Sequence, residues 1–280
     1  MAQRRRPRQI ITRRRLCYLW EPLLRLIVLA LALCVAGRSP AWAQIVNVQG
    51  ALAKAPDENG LSGQVELKVN WREGNNPILD LGGGGSIVVR EGRLLGLVVA
   101  RGGYGRSRGV TFTKRSFEHV RARVTLSCVW RWEAFGQHEF DEFRRLSLRA
   151  LLGTGPALQI VNTRSFALLA GAAYMLELER LDERIGTTDS GGRSHTQRAS
   201  AYLSGRGLLA NGHELVQTVY AQPRLVDPSD VRLLAEVAVQ SKLSAHFALK
   251  NSITVAYDAT PPDQVKELDT AIEVAFAVHF

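Results

Sequence analysis

Charged side chains recur at every second position along several segments of this 280-residue sequence. His119, Arg121 and Arg123 form one such row, and Arg145 and Arg149 belong to another. Successive side chains of a strand point to opposite sides, so each row lies along one face. These rows predict either a basic cavity that favours anions or a ladder of cross-strand charge pairs, each contributing about 0.2–1 kcal/mol. The side chains expected to face this interior are Lys68, His119, Arg121, Arg123, Arg131, Arg145, Arg149, Arg198, Arg206, Glu66, Glu177, Glu179, Glu236 and Glu273.

Nucleophilic catalysis and metal binding find little support in the sequence. His119 and Ser127 share a face of one predicted strand, but their separation of eight positions corresponds to roughly 27 Å, far beyond hydrogen-bond reach. The six histidines are scattered without an HxH or HxxxH pair, which is the spacing that a metal site would use. We therefore predict no catalytic residue, no metal site and no cofactor. A lipid-modifying enzyme whose active site is assembled from neighbouring strands stays open as an alternative.

The last eleven residues show which kind of element positions these side chains. Ile272, Val274, Phe276, Val278 and Phe280 alternate with small or polar residues. A period of two predicts a strand that carries its large apolar groups on one face. In outer-membrane barrels such a face contacts lipid, while the opposite face lines the lumen.

The same alternation recurs along the chain and predicts about twelve strands. The first is expected at 45–53, one long strand covers 115–132, and the next covers 140–152. Strands of about ten residues are long enough to cross a bilayer when tilted. A Lys or Arg on the lipid-facing side at mid-bilayer costs about 2–4 kcal/mol, and in this sequence the charges oppose the bulky apolar groups. The predicted fold is therefore all-β, a single antiparallel up-and-down transmembrane β-barrel.

A second fold gives the same alternation with the opposite sense. A soluble periplasmic β-protein that binds a small ligand would turn its apolar face inward and its polar face to water. Periodicity alone does not separate the two arrangements. The long strands, the terminal Phe280 and the aromatic residues near strand ends favour the outer membrane of a Gram-negative-type bacterium.

The N-terminus predicts export from the cytoplasm. An arginine-rich stretch over residues 4–15 precedes an apolar run over residues 26–36, and the small residues Ala41 and Ala43 follow before Gln44. This order is typical of a secretory signal peptide, and the apolar run is too short for a membrane-spanning helix of about 20 residues. We predict a signal peptide over residues 1–43 and an outer-membrane barrel over residues 44–280.

The predicted leader also changes the expected partners. It carries nine Arg and one Glu, so +8 of the net charge of +10 belongs to the leader and +2 to the remaining chain. A nearly neutral domain lacks the electrostatic footprint of a nucleic-acid-binding protein. We expect outer-membrane lipids as the surroundings, while the oligomeric state stays open. We also expect the barrel-assembly machinery to read a C-terminal insertion signal formed by Val274, Phe276, Val278 and Phe280.

The second half of the chain carries a recognisable order of short motifs. Tyr257-Asp258, Pro261-Pro262 and Asp269-Thr270 precede the terminal Phe280. In this order the sequence resembles a family of uncharacterised outer-membrane β-barrels that includes the salt-induced outer-membrane protein. The resemblance implies a barrel of about twelve strands and supplies no catalytic residue. The expected function is a structural or osmotic-stress role in the outer membrane, with a narrow small-ion pathway as one form of it.

Overall fold

The computed structural model describes residues 45–75, 77–209 and 212–280. The predicted signal peptide over 1–43 lies outside these residues. No helix within the described ranges is long and apolar enough to span a bilayer.

Twelve antiparallel strands account for most of the described chain. Each strand pairs with its neighbours in sequence, and β1 pairs with β12, so that the sheet closes into a barrel. The predicted fold class and the number of strands are confirmed. The strands are β1 (Gly60–Arg72), β2 (Ile78–Glu91), β3 (Leu94–Ser107), β4 (Val110–Thr125), β5 (Trp130–Asp141), β6 (Leu146–Asn162), β7 (Phe166–Leu181), β8 (Arg193–Leu208), β9 (Glu214–Pro223), β10 (Val231–Lys242), β11 (Phe247–Asp258) and β12 (Leu268–His279).

Large apolar side chains lie on the outer surface of the barrel. On β12, Ile272, Val274 and Phe276 are exposed, whereas Ala277, on the opposite face of the same strand, is fully buried. On β1, Leu67 is exposed while Gln64 is buried. An apolar outer band opposite a polar interior is the arrangement of a membrane barrel. A soluble protein with its large apolar groups packed in a shared interior is therefore contradicted.

The predicted first strand at 45–53 is wrong. Residues 45–54, here called the luminal segment, lie inside the barrel as an extended stretch followed by the short helix α1 (Gln49–Leu52). Val46, Val48 and Leu52 pack against a group of buried apolar side chains on the barrel wall that includes Leu97. Apolar residues alternate in this stretch because they contact apolar patches on the lumen wall, and not because the stretch pairs with a strand of the sheet.

The predicted strand at 115–132 is also wrong, because it joins two strands. β4 ends at Thr125 and β5 begins at Trp130. The turn between them holds neither Gly nor Pro; instead the Ser127 hydroxyl oxygen accepts a hydrogen bond from the Trp130 backbone N–H at 3.1 Å. A serine side chain that mimics a backbone turn in this way gives little sequence signal. One predicted strand, 45–53, does not form, and another, 115–132, is two strands. The two errors offset each other, so the predicted number of twelve strands is the observed one.

The predicted strand at 140–152 starts too early. β5 continues to Asp141, a 3-10 turn spans Glu142–Arg144, and β6 begins at Leu146. The Asp141 carboxylate caps this turn by accepting from the backbone N–H groups of Phe143 and Arg144. β6 then runs to Asn162, well beyond the predicted end.

The two ends of the barrel differ in the length of their connections. The end that holds the chain terminus has only short turns, and we call it the short-turn end. The connections over 182–192, 224–230 and 259–267 lie at the opposite end, the long-loop end. In outer-membrane barrels short turns face the periplasm and long loops face the outside.

Pairing between β1 and β12 is confined to the short-turn end. The register runs from Gln64↔His279 to Leu67↔Phe276, and two backbone hydrogen bonds join Gly63 to Phe280 below it. No further residue pairs join the two strands, both of which lie wholly within the described chain. Every other pair of neighbouring strands is joined over a longer stretch. We call the boundary between β1 and β12 the seam.

Candidate functional site in the barrel lumen

A buried carboxylate on β5 organises the middle of the lumen. Glu133 accepts hydrogen bonds from Arg121 Nη1 at 2.9 Å and Arg123 Nε at 2.5 Å, both on β4. The Tyr202 hydroxyl on β8, three strands away in the sheet, donates to the same carboxylate at 2.9 Å. Glu133, Arg121 and Tyr202 are all buried. This central cluster thus links strands that are not neighbours in the sheet through one acidic group.

His119 belongs to the packing around the central cluster. Its Nε2 accepts from Arg121 Nε at 3.3 Å, so Nδ1 carries the proton and donates to Gln137 Oε1 at 3.3 Å. The imidazole is stacked between the rings of Phe117 and Phe135. With both nitrogens bonded in this way, His119 acts as a neutral structural group and is not paired with a nucleophile.

A second charge cluster lies nearer the long-loop end. Glu177 on β7 meets Arg232 Nη1 at 2.6 Å, Arg149 Nη2 at 3.3 Å and Arg198 Nε at 3.5 Å. Arg232 also pairs with Glu179 at 3.1 Å and with Asp258 on β11 at 2.8 Å. The side chains come from β6, β7, β8 and β10, which lie on one side of the barrel, and this upper cluster projects into the lumen and narrows it.

Most of the other predicted interior residues form cross-strand or cross-lumen pairs. Most of the cations predicted to face the interior form an ion pair with a carboxylate. This is the pattern of a charge-paired lumen and not of a free basic surface. Within the described chain, Arg131 and Glu236 form no ion pair. The pairs are Lys68–Asp80 at 3.0 Å, Glu66–Lys250 at 3.1 Å, Glu273–Arg115 at 3.4 Å, Arg206–Glu214 at 2.8 Å and Arg198–Asp230 at 2.8 Å.

Arg145 differs from the prediction, because it does not lie on a strand. It occupies the turn before β6 with a positive φ of 59° and is fully buried. Its guanidinium pairs with Asp182 at 3.0 Å and Asp189 at 2.5 Å, and it donates to the Asp263 carbonyl oxygen at 2.9 Å. Arg145 therefore holds the loops 182–192 and 259–267 together over the long-loop end.

Sequence reasoning found some of the acidic partners, such as Glu177, but missed others and missed the cations Arg101, Arg115, Arg232 and Lys250. Glu133 was missed because it falls beyond the predicted end of the strand at 115–132, and Arg101 because β3 carries apolar residues on both faces. The four-glycine run over 82–85 was the sequence signal that could have indicated a long side chain at Arg101 on the neighbouring strand. A Cβ on Gly84 would lie 2.7 Å from Arg101 Cγ and 2.8 Å from the Ala100 carbonyl oxygen. The inward-facing glycines thus give basic side chains room to lie along the wall.

The luminal segment fills the short-turn half of the lumen. Val48 is 1% exposed, and Asn47 and Gln49 are also buried. Gln49 Oε1 accepts from Arg123 Nη2 at 3.2 Å, and the Asn47 carbonyl oxygen accepts from Arg101 Nη2 at 3.3 Å. The segment is held by side chains of the wall and is not a member of the sheet.

A cavity of about 350 Å³ lies beside the luminal segment, between β1–β5 and β10–β12. Charged residues from both groups of strands line it, including Glu66, Arg101 and Glu236. Its lining also includes Leu67 and Val274, whose side chains lie on the outer face next to the seam. The cavity therefore extends from the lumen to the boundary between β1 and β12.

No metal cluster is apparent in this interior. The described residues contain no group of three or more His, Cys, Asp or Glu side chains placed to hold a metal ion.

Several solved structures are similar to this chain. An outer-membrane channel from Pseudomonas putida F1 is similar with a TM-score of 0.50 at 12% identity, covering 85% of this chain and 100% of that chain. The NanC porin gives 0.44 at 8% identity, covering 79% of this chain and 98% of that chain. The translocator domain of the autotransporter NalP from Neisseria meningitidis gives 0.42 at 13% identity, covering 82% and 92%. At these identities the similarity concerns the fold alone.

The architecture also gives the location of the protein. A closed twelve-strand barrel with an apolar outer band, similar in fold to the Pseudomonas channel, lies in the outer membrane of a Gram-negative-type bacterium. The predicted localisation is confirmed, and lipids are the surroundings of the outer face.

Sequence comparison gives a family and no individual relative. No curated protein sequence matches the chain. The profile of a family described as "Protein of unknown function, DUF481" matches residues 65–280, which is the whole barrel apart from the start of β1.

Proposed function

The chain belongs to the DUF481 family of proteins of unknown function, and we propose that it forms a narrow small-ion pathway that the luminal segment keeps closed. The observation that carries the proposal is the burial of residues 45–52 inside the barrel, without pairing to any strand. A segment held by side chains alone can leave the lumen while the sheet stays intact. The Pseudomonas neighbour is named a channel, which is in keeping with conduction by this fold.

Burial and ordering of the luminal segment nearly balance. Burial of Ile45, Val46, Val48 and Leu52, at about 1.5–3 kcal/mol each, favours docking by about 6–12 kcal/mol. Fixing the backbone of the eight residues 45–52, at about 1–2 kcal/mol each, costs about 8–16 kcal/mol. The hydrogen bonds of Asn47 and Gln49 add about 0.5–1.5 kcal/mol each in favour of docking. Docked and released states thus differ by only a few kcal/mol, as a gate requires.

Charge pairing favours a pathway for small ions over a wide anion-selective pore. The central cluster and the upper cluster place side chains in the lumen, and most predicted cations in them are neutralised by carboxylates. A barrel of twelve strands lies between eight-stranded barrels filled by side chains and porins with sixteen or more strands. We therefore expect low conductance and weak charge selectivity after release of the luminal segment.

Planar-bilayer recording tests the gate. Val48→Asp places a charge in the apolar contact of the luminal segment and is expected to turn rare openings into sustained ones. Gly50→Ser is the matched control, because a Cβ on Gly50 meets nothing within 4 Å. Deletion of residues 45–54 should act like Val48→Asp. If both variants are as silent as Gly50→Ser, the lumen is blocked independently of the segment and the proposal is wrong.

The physiological role that we propose is a response to osmotic stress. Its support is the resemblance of the second half of the chain to the family that includes the salt-induced outer-membrane protein. A strain that lacks the gene should survive a salt upshift less well, and the intact gene should restore survival. Restoration by Val48→Asp to the same level would show that gating has no part in the role.

Export and assembly complete the proposal. Cleavage after residue 43 would leave the luminal segment at the mature N-terminus, free to move in the lumen. The intact mass of protein extracted from the outer membrane tests the position of cleavage. We also propose that the barrel-assembly machinery reads Val274, Phe276, Val278 and Phe280. These side chains follow one another on the outer face of β12, and removal of Phe280 should slow the appearance of the heat-resistant folded form.

We propose no enzymatic role for the lumen. His119 is engaged by Arg121 and Gln137, and His138 on the outer face pairs with Glu118. A phospholipid turnover assay with purified protein tests this, and turnover abolished by His138→Ala would favour the lipid-modifying alternative.

A further inference from the structure

The seam leaves two strand edges without a partner over most of their length. β1–β12 pairing ends at Leu67↔Phe276, so residues 68–72 of β1 and 268–275 of β12 lack partners across the seam. Continuing the register would bring Val69 opposite Val274 and Asn70 opposite Glu273. The closed short-turn end fixes the two strands, while the half toward the long-loop end is open.

Unpaired strand edges do not persist against hydrocarbon. Within a bilayer, every backbone N–H and C=O group requires a hydrogen-bond partner, and irregular edges occur only where they line a polar cavity. The open half of the seam meets this condition, because the 350 Å³ cavity lies directly behind it. The lipid-facing residues Leu67, Ile272 and Val274 and the luminal residues Glu66 and Lys250 line the same space. The seam therefore connects the lipid phase with a polar pocket.

Two charges in this pocket differ from the rest. Lys68, Lys250 and Arg115 are each paired with a carboxylate. In the part of the chain that the structure describes, Arg101 meets no carboxylate within ion-pair distance and donates only to the Asn47 carbonyl oxygen. Glu236, on the opposite side of the same cavity, forms no ion pair in that part either. Among the described residues, the pocket thus presents one cation and one anion that form no close ion pair.

We infer that the seam is a lateral entrance for a zwitterionic phospholipid, whose head group enters the cavity while its acyl chains stay in the bilayer. The phosphate is placed to meet Arg101 and the ammonium to meet Glu236, since a guanidinium binds phosphate through charge-assisted hydrogen bonds. The exposed edges of β1 and β12 supply further donors and acceptors to the glycerol region. On the wall of the cavity, Gly82 and Gly84 let the side chains of Lys68 and Arg101 lie close against the sheet.

The open seam is tested first. In a Cys128→Ser background, which removes the exposed free cysteine, Val69→Cys/Val274→Cys is compared with Val237→Cys/Ile253→Cys on the fully paired strands β10 and β11. Cysteines with Cα atoms more than about 7 Å apart do not form a disulfide. The seam pair should stay reduced over the time in which the control pair is fully oxidised. Equal oxidation of the two pairs would mean a closed seam and would overturn the inference.

The ligand is tested by photo-crosslinking in vesicles. Protein in phosphatidylglycerol vesicles receives traces of a phosphatidylethanolamine that carries a diazirine next to its head group, and labelled peptides are identified by mass spectrometry. Label should concentrate in residues 68–72, 80–84 and 268–275. Arg101→Gln or Glu236→Gln should each reduce this labelling at least about tenfold, the loss expected for a hydrogen bond to a charged group. A diacylglycerol probe, which lacks both charges, should label these peptides no more than other lipid-facing peptides.

The remaining outcomes all count against the inference. Uniform labelling around the barrel would show ordinary lipid contact, and capture unaffected by either substitution would remove the proposed head-group site. A twofold increase in particle mass in detergent, lost on blocking β1 by Val69→Pro, would show that the edges pair with a second copy. Heat-modifiable electrophoretic mobility verifies that each variant barrel is folded. None of these results depends on ion conductance, so they are independent of the proposed gate.

Discussion

Replacement of Glu133 should destabilise the barrel more than any surface charge. The side chain is buried and accepts from Arg121, Arg123 and Tyr202 within 2.9 Å. Glu133→Gln keeps the shape and removes the charge, which leaves two guanidinium groups without their carboxylate. Breaking a buried ion pair by removing one partner costs about 3–5 kcal/mol. We expect the lower end of this range for Gln and the upper end for Ala, which adds a cavity.

The assay is equilibrium unfolding in urea, in detergent micelles, followed by the fluorescence of the tryptophans on the outer face. A cost of about 3 kcal/mol corresponds to roughly a hundredfold change in the unfolding equilibrium, well above experimental error. Glu142→Gln is the matched control, because its pair with Lys114 is largely exposed and such pairs contribute about 0–1 kcal/mol. Glu133→Leu combined with apolar replacements of Arg121 and Arg123 should recover most of the loss, since well-packed apolar groups can replace a buried ion network.

The result that would refute this reasoning is equally definite. If Glu133→Gln changes the free energy of unfolding by no more than Glu142→Gln, the central cluster is hydrated and its pairs are screened as at the surface. The short distances around Glu133 would then contribute little to the free energy of unfolding. The upper cluster around Glu177, built in the same way, would have to be reinterpreted with it.

Three further predictions concern the wall and the loops. Gly155→Ala would place a Cβ 2.1 Å from the Ala172 carbonyl oxygen, so we expect a loss of about 1–3 kcal/mol from overpacking, visible as a lower midpoint in the same urea titration. Ile253→Arg puts a charge on the exposed outer face of β11 and should cost about 2–4 kcal/mol if the site is at mid-bilayer, measured as a smaller folded fraction after reconstitution. The pKa of Asp263 is lowered from 3.8 by hydrogen bonds from the Thr188 hydroxyl and backbone N–H. The loop contact is therefore stable above that ordinary value and is lost as the pH falls through the lowered one. Spin-label mobility on the loop should rise only in strongly acidic solution. Thr188→Ala, which removes the hydroxyl and keeps the backbone N–H, should move the transition toward the ordinary value of 3.8.

The sequence was sufficient to predict the barrel because the lipid-facing side of each strand has to be apolar. Every second residue of β4 and β12 that faces lipid is apolar or small over most of the strand, and the cost of a charge there keeps the period of two clear. The interior rows His119–Arg123 were recognisable for the same reason. Most strand boundaries were recognisable because Gly, Pro or Asn mark the turn, and the turn over 243–246 was recognisable without them. The Ser127 turn between β4 and β5 has none of these, and alternation continues across it.

The contents of the lumen were harder to predict than its wall. Residues 45–53 alternate as a strand does, but which partners they find depends on contacts with Leu97, Val99 and Phe117 that are distant in sequence. Whether a row of cations is free or neutralised depends on acids from other strands, and the pairing of Arg232 with Glu177 follows only from barrel closure. Contacts of this kind, between strands that are not neighbours, have no local pattern in the sequence.

Closure through β1 and β12 also has a consequence for the order of assembly. These strands lie at the two extremes of the barrel chain, and contacts between residues so far apart in sequence carry the largest loop-closure entropy and form late. The luminal segment immediately precedes β1, so the last contacts of the sheet, between Gly63 and Phe280, form next to the point where the segment enters the lumen.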